Sequence, residues 1–190
     1  MEKKVFIVHG WGGYTKEGWF PWLKKELSKK GFKVKILSMP DTEYPTIKRW
    51  VSFLKKNVKS PDKNTYFIGH SIGCQTILRY LEKLRKNEKI GGAIFVAGWF
   101  NLINLEKNEV KIAKPWLEKK INLTKITAKS KKNVSIFSNN DPVVPLSDYK
   151  IFKEKLNSKI IIQRGKGHFS GSDKIKKLPI VLKELLKISK

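Results

Sequence analysis

The sequence predicts an α/β fold, in which helices cover both faces of a mostly parallel β-sheet. The first observation is alternation: six short apolar runs rich in β-branched residues are separated by stretches of helical periodicity along the 190 residues, as in repeated strand-helix-strand units. The second is that the runs "VFIV", "AIFVA" and "KIIIQ" are almost continuously apolar. Such runs are typical of strands that are buried on both faces of a sheet.

The individual elements follow from the same patterns. We predict strands at residues 4–8, 34–37, 65–68, 93–97, 134–138 and 159–162, and helices at 19–29, 46–57, 72–86, 146–156 and 175–188. Between 100 and 132 the periodicity is weak, and we expect one short helix near 115–120 that lies over the carboxyl edge of the sheet. The length and a hydrophobic content of 40% predict one compact domain spanning 1–190.

The chain carries a large excess of positive charge, with 41 basic and 16 acidic residues and a net charge of +25. Such an excess favours contact with nucleic acid or an anionic membrane. Four of the basic residues are arginines, and the others are lysines scattered along presumed helix faces and turns. Dispersed lysine is typical of a solvated surface rather than of a phosphate-reading site. We therefore expect no obligate nucleic-acid partner, and accessory binding to nucleic acid or anionic surfaces is the alternative.

Targeting and redox signals favour the cytoplasm. No segment approaches the ~20 apolar residues that cross a bilayer, and the opening "MEKKVFIVHGWGG" predicts a short strand rather than a signal peptide. The single cysteine, Cys74, excludes an internal disulfide and is typical of a reducing compartment. We interpret it as a small buried residue rather than as a second nucleophile. No cluster of histidine, cysteine and carboxylate has metal-ligand spacing, so we expect neither a metal nor a cofactor.

The pentapeptide "GHSIG" at 69–73 is the first candidate for chemistry. It follows an apolar run and opens a predicted helix, so Ser71 lies at the carboxyl end of a strand, where α/β sheets collect functional groups. In a G-x-S-x-G turn the serine adopts a strained backbone conformation that exposes its oxygen, and its neighbours two residues away must be small. Gly69 and Gly73 meet this requirement. The alternative is an ordinary hydroxyl between two glycines that turn the chain.

A nucleophilic serine needs a base, and the chain has three histidines. His168 has the expected position, on the glycine-flanked loop "GKGHFSGS" after the last strand, whereas His70 should point away from the serine. The base in turn needs a carboxylate that fixes its tautomer. Asp141 directly follows the fifth strand and is preferred. Asp148 competes, but it lies in the opening turn of a helix, where an aspartate usually interacts with the helix dipole.

The same edge of the sheet supplies candidates for oxyanion stabilisation. One expected donor is the backbone N–H of Ile72, just after the serine, and the loop "HGWGG" after the first strand supplies the other. In that loop Trp11 is preferred and Gly12 is the alternative. The loop lacks the spacing of a nucleotide-binding motif, so a simple flexible connection is its other interpretation. Candidate residues of the substrate pocket are Trp99, Phe100 and Val143.

Over nearly its whole length the chain resembles the small serine hydrolases of the retinoblastoma-binding protein 9 family, a lidless branch of the α/β-hydrolase superfamily. The resemblance rests on the segments "FIVHGWGG", "GWFPWLKKEL", "FIGHSIGCQTILRYL", "GAIFVAGWF", "IFSNNDPVVP" and "GKGHFSGS". It implies a minimal α/β-hydrolase fold, with a sheet of six strands in the order 2-1-3-4-5-6 and no large cap domain. It also implies that Ser71 is the nucleophile, Asp141 the acid and His168 the base, which is the chain order of that superfamily.

The motifs and the resemblance together predict a serine hydrolase that cleaves a small carboxylic ester through an acyl-enzyme on Ser71. A thioester or an amide is the alternative bond. A different class of function is a non-catalytic interaction module on the same fold, because a fold does not dictate an activity.

Overall fold

The computed structural model describes residues 2–190 and contains a six-stranded sheet in the order β2-β1-β3-β4-β5-β6. Every neighbouring pair of strands is parallel. The strands are β1 Lys4–Val8, β2 Lys33–Leu37, β3 Thr65–His70, β4 Gly92–Val96, β5 Asn133–Ser138 and β6 Lys159–Gln163. The strand ends predicted from the sequence differ from these by at most two residues, and the predicted strand order is confirmed.

Helices connect the strands and cover the sheet. They are α1 Phe20–Ser28, α2 Ile47–Val58, α3 Ile72–Glu82, α4 Lys107–Glu118, α5 Leu123–Thr127, α6 Tyr149–Leu156 and α7 Pro179–Ile188, and a 3₁₀ turn, Leu146–Asp148, precedes α6. Among residues 2–190, no helix has the length and apolarity that crossing a membrane requires.

Strand β3 and helix α3 form the centre of the molecule. All six residues of β3 are buried, and so are all residues of α3 except the last. Two glycines make this close packing feasible: a Cβ added at Gly73 would lie 2.3 Å from the Val8 carbonyl oxygen, and one at Gly69 would lie 2.8 Å from the Cys74 nitrogen. Neither site could hold a larger residue without displacing backbone. The start of α3 is therefore pressed against the ends of β1 and β3.

Strand burial corrects one expectation. The runs "VFIV" in β1 and "AIFV" in β4 are buried throughout, as predicted. The same prediction for "KIIIQ" is wrong, because β6 forms an edge of the sheet and Ile162 is 45% exposed. An edge strand is flanked by a neighbour on one side only, so part of its apolar surface faces solvent.

The segment 100–132 also differs from the prediction, because it forms two helices instead of one near 115–120. Helix α4 begins with a capping box in which the Glu109 carboxylate accepts from the Glu106 backbone N–H at 2.8 Å. Pro115 lies inside α4 rather than at its start. The helix is attached to the body through Trp116, whose indole N–H donates to the Pro45 carbonyl oxygen at 2.9 Å.

Candidate active site

Ser71 occupies the turn between β3 and α3 in a strained conformation. Its φ is 51° and its ψ is −121°, a region that non-glycine residues rarely adopt and that costs on the order of 1–3 kcal/mol. The turn is fixed by the Ser71 backbone N–H, which donates to the Val96 carbonyl oxygen on β4 at 2.9 Å. The serine is mostly buried and lines a cavity of about 330 Å³ at the carboxyl edge of the sheet.

His168 lines the same cavity and is bonded to Asp141. The His168 Nδ1 atom lies 2.9 Å from Asp141 Oδ2 and 3.1 Å from Asp141 Oδ1. The backbone N–H groups of Val143 and Val144 also donate to Asp141 Oδ1, each at 2.9 Å. Burial by itself raises the pKa of the Asp141 carboxyl, but the hydrogen bond and charge of His168, with the two backbone N–H groups, hold it below its usual value. An ionised Asp141 accepts Nδ1–H, which leaves Nε2 of the neutral ring as the basic nitrogen.

Asp148 does not contact His168. It is 1% exposed, and its carboxylate accepts from the backbone N–H of Phe100 at 2.5 Å and from the backbone N–H and side-chain amide of Asn101 at 2.8 and 2.6 Å. The interpretation of Asp148 as a helix-start charge is therefore incomplete, because this carboxylate fixes the chain that leaves β4.

His70 makes a contact that the sequence did not predict. Its Nε2–H donates to the His168 carbonyl oxygen at 2.7 Å, and the two rings are 5.0 Å apart. Burial, and secondarily the charge of His168, lowers the pKa of His70 to about 3, so the ring is neutral at physiological pH. His70 thus holds the loop that carries His168. The two residues are 98 positions apart in the chain, and no local pattern reports their contact.

The third histidine, His9, shapes the loop after β1. It is fully buried; its Nδ1–H donates to the Gly10 carbonyl oxygen at 2.8 Å, and its Nε2 accepts from the Met39 backbone N–H at 3.2 Å. Burial lowers the pKa of His9, which favours the neutral ring that both bonds require.

The backbone N–H groups around the cavity differ in whether they already have a hydrogen-bond acceptor. Gly12 N–H donates to the Thr42 carbonyl oxygen at 2.9 Å and Gly13 N–H to the Gly10 carbonyl oxygen at 3.2 Å. The Trp11 N–H has no hydrogen-bond acceptor among residues 2–190. Ile72 is the first residue of α3, a position whose N–H has no partner within its helix. The geometry thus leaves Trp11 and Ile72 as available donors and leaves Gly12 without a free N–H.

The apolar part of the cavity includes two of the three predicted pocket residues. Trp99 and Val143 line it, whereas Phe100 does not, because its ring packs against Phe152 with the centroids 5.1 Å apart. Leu102 and Leu105, which were not among the predicted pocket residues, complete the apolar lining with Ile72. Both leucines belong to the segment whose structure the sequence predicted poorly.

The chain is similar to proteins that are described as hydrolases. The chain matches the family model described as serine hydrolase over residues 5–187. It is 32% identical to the protein YdeN of Bacillus subtilis (strain 168), a candidate hydrolase, over 181 residues that cover 95% of this chain and 93% of that protein. It is 26% identical to the serine hydrolase RBBP9 of Rattus norvegicus over 175 residues, or 90% of this chain and 89% of that protein.

Solved structures give a similar result. The crystal structure of the ydeN gene product from B. subtilis has a TM-score of 0.90 and 31% identity, and the match covers 98% of each chain. A carboxylesterase structure from the ammonia-oxidizing thaumarchaeon Nitrososphaera gargenis has a TM-score of 0.75 at 18% identity, covering 99% of this chain and 91% of that one. The second likeness concerns the fold alone.

Proposed function

Because the chain belongs to the serine hydrolase family, we propose that it cleaves a small carboxylic ester through an acyl-enzyme formed on Ser71. The expected α/β-hydrolase fold is confirmed by the strand order and by the similarity to the Bacillus protein. One observation carries the proposal: a serine in a strained elbow shares a cavity with a histidine whose Nδ1 is bonded to a carboxylate. Hydrolysis through an acyl-enzyme requires a nucleophile, a base and an orienting acid, and these three side chains are of the types that can supply them.

The first half of the reaction forms the acyl-enzyme. His168 Nε2 takes the hydroxyl proton while Ser71 Oγ attacks the ester carbonyl, and Asp141 stabilises the imidazolium that forms. The N–H groups of Trp11 and Ile72 donate to the tetrahedral oxyanion, helped by the positive end of the α3 dipole. Collapse of the intermediate breaks the ester bond, and the alkoxide leaves with the proton from His168.

The second half returns the free enzyme. Water attacks the acyl carbonyl while His168 Nε2 accepts its proton, and the same two N–H groups hold the second oxyanion. Ser71 then leaves with the proton from His168, and the carboxylic acid is released.

The test is covalent labelling with a fluorophosphonate probe, followed by turnover of an activated ester. Wild-type protein should be labelled at Ser71, and Ser71→Ala should lose both labelling and turnover. Ser52→Ala, at an exposed position on α2, is the matched control and should behave like wild type. Labelling at another residue, or unchanged turnover by Ser71→Ala, would contradict the proposal.

A second candidate function has its own observation. A cavity of about 580 Å³ lies at the amino ends of the central strands, and seven lysines line it: Lys3, Lys63, Lys89, Lys129, Lys131, Lys132 and Lys190. No acidic residue of the described chain, 2–190, belongs to its lining. This cluster supports accessory binding of nucleic acid, and steep weakening of that binding with salt is the expected sign.

A further inference from the structure

The candidate active-site cavity is acidic although the protein is strongly basic. Three glutamates line it, Glu17, Glu43 and Glu109, and none of the lining residues identified within 2–190 is a lysine or an arginine. Basic residues outnumber acidic ones by 41 to 16 in the chain. The composition of this lining is therefore opposite to that of the whole molecule, and the charge that a substrate meets at the site differs from the charge of the surface around it.

Two of the glutamates lie beside the proposed oxyanion loop. The Glu17 Oε1 atom accepts from the Gly171 backbone N–H at 3.3 Å, and its Oε2 is 2.7 Å from the point that a Cβ on Gly13 would occupy. The Glu43 Oε1 is 3.4 Å from the point that a Cβ on Gly12 would occupy. Glu17 thus lies between the oxyanion loop and the loop that follows the proposed catalytic histidine. Glu43 belongs to the connection between β2 and α2.

The third glutamate faces the cavity from α4, and all three lack a cationic partner. Glu109 accepts from the Glu106 backbone N–H, a bond that leaves its charge uncompensated. Within residues 2–190, none of the three glutamates has a lysine, arginine or histidine nitrogen within 4.0 Å, whereas Glu26, Glu88 and Glu184 do. Carboxylates that line a cavity without a cationic partner are unexpected in a protein whose basic residues are in such excess.

His70 provides an independent observation at the same cavity, because it places an unpaired hydrogen-bond acceptor there rather than a cation. His70 lines it, is 3% exposed, and uses Nε2–H for the His168 carbonyl oxygen. Its Nδ1, which carries the lone pair, is buried without a hydrogen-bond partner among residues 2–190 and lies beside Gly10, another lining residue. The lining therefore carries negative charge and no lysine or arginine, and the unpaired acceptor of His70 is buried directly behind it; negative charge of this kind complements a cation.

The charges have a consequence for the chemistry. Electrostatic stabilisation of the negative charge that develops in the transition state is a main source of catalysis. Carboxylates near the oxyanion loop repel that charge and therefore act against its stabilisation. A positive group on the substrate would offset them. The same carboxylates repel the carboxylate product and so favour its release.

We propose that this hydrolase is selective for substrates that carry a cationic group, such as an ammonium, in the acyl or the alcohol part, and that Glu17, Glu43 and Glu109 determine this selectivity. The inference rests on the proposed function of the site. It names the substrate class by its charge, and the cavity of about 330 Å³ has room for a small molecule.

The test compares thioesters and esters of different charge, in which the cationic and neutral members are isosteres. One series is the thioacetates of thiocholine, of its tert-butyl analogue and of a carboxylate-bearing thiol; the other is nitrophenyl esters whose acyl chains end in trimethylammonium, tert-butyl or carboxylate. In at least one series, kcat/KM for the cation should exceed that for the neutral ester by about tenfold or more, and the anion should be the poorest substrate. The preference should shrink between low salt and ~1 M salt, as the screening length falls to ~3 Å.

The variants assign the preference to the glutamates. Each of Glu17→Gln, Glu43→Gln and Glu109→Gln should lower the cation-to-neutral ratio of kcat/KM about threefold to tenfold, mainly through KM. Glu154→Gln removes the same charge at an exposed site on α6 and should leave the ratio unchanged. A kcat/KM for the cationic substrate that does not exceed that for the neutral one in either series, with the neutral substrates hydrolysed, would overturn this inference alone. Failure to hydrolyse any ester would overturn the proposed function and this inference with it.

Discussion

At the scale of single residues, the two aspartates near the carboxyl edge differ in what their carboxylates hold. Asp141 is bonded to His168, whereas Asp148 is bonded to Phe100 and Asn101. An Asn replacement at 141 should lower turnover by on the order of 10⁴, because the histidine loses the partner that selects its tautomer. The protein should remain folded. Turnover of one activated ester by Asp141→Asn, with circular dichroism as the control for folding, is the measurement.

Asp148→Asn should show the reverse pattern. The new amide would direct its NH₂ at donors that need an acceptor, and a single hydrogen bond to a charged group contributes about 1.5–3 kcal/mol. We expect a clear fall in melting temperature while most of the turnover is retained, since Asp148 does not contact His168. If Asp148→Asn lost activity by 10⁴ and Asp141→Asn did not, the assignment of the acid would be wrong.

The burial of His70 should make the stability of the folded protein depend on pH. Its folded-state pKa, about 3, lies below the ordinary value of 6.5, so the unfolded chain binds more protons between these values. Stability is therefore fully present above pH 6.5 and falls as the pH decreases, by up to about 1.4 kcal/mol per pH unit for this group. Urea denaturation of wild type and His70→Gln between pH 7 and 5 measures the slope. An equally steep slope in the variant would contradict the role of His70.

At the scale of elements, the packing of β1 against α3 depends on Gly73. A methyl group there would lie 2.3 Å from the Val8 carbonyl oxygen and 2.7 Å from the His9 carbonyl oxygen. Gly73→Ala should therefore displace the start of α3, lower the free energy of unfolding by about 3 kcal/mol or more, and reduce turnover. Gly31→Ala is the comparison: its φ is +81° but nothing lies within 4 Å, so it should cost only about 1 kcal/mol. Thermal denaturation of both variants measures the two losses of stability, and equal destabilisation would contradict the steric explanation.

Helix α4 is held at its carboxyl end by a buried arginine from α3. The Arg79 guanidinium donates to the Trp116 carbonyl oxygen at 2.7 Å and to the Lys119 carbonyl oxygen at 2.8 Å. Arg79→Met should leave both carbonyls without this donor, lower the melting temperature, and speed tryptic cleavage within 107–120. Arg49→Met removes an exposed arginine and is the control. Cleavage at the same rate in both variants would show that Arg79 does not fasten α4.

The elements that the sequence predicted well are those whose pattern is local. Uninterrupted apolar runs located the central strands, and the glycine-flanked serine located the elbow. Helix α4 was missed because its first residue is preceded by Glu106, which is not among the preferred capping residues, and because Pro115 usually marks a helix start or end. The bonds from His70 to His168 and from Asp148 to Asn101 join residues 98 and 47 positions apart. Such bonds depend on the assembled sheet, and no window of sequence contains them.

At the scale of the whole molecule, two cavities at opposite edges of the sheet differ in the charge of their linings. The cavity at the carboxyl ends of the strands has three glutamates in its lining, and the cavity at the amino ends has seven lysines. Net charge alone, +25, could not show this separation, because the sequence scatters lysines along the chain and the fold collects some of them. We therefore expect a polyanion to bind at the lysine-lined cavity rather than at the cavity that contains Ser71.

This separation predicts where a polyanion binds. Lys63, Lys89 and Lys131 are exposed and line the basic cavity. Replacing all three with Gln should weaken binding to duplex DNA and make the dependence of log K on log salt shallower, by about one unit for each phosphate that the variant no longer neutralises. The matched triple variant, Lys24→Gln, Lys150→Gln and Lys155→Gln, removes the same charge from exposed positions outside that cavity. Fluorescence anisotropy of a labelled duplex at graded salt concentrations measures both slopes.

A specific basic site requires the first variant to lose more affinity and more slope than the second. Equal effects would mean that binding follows net charge alone, and absence of binding at moderate salt would remove the accessory function altogether.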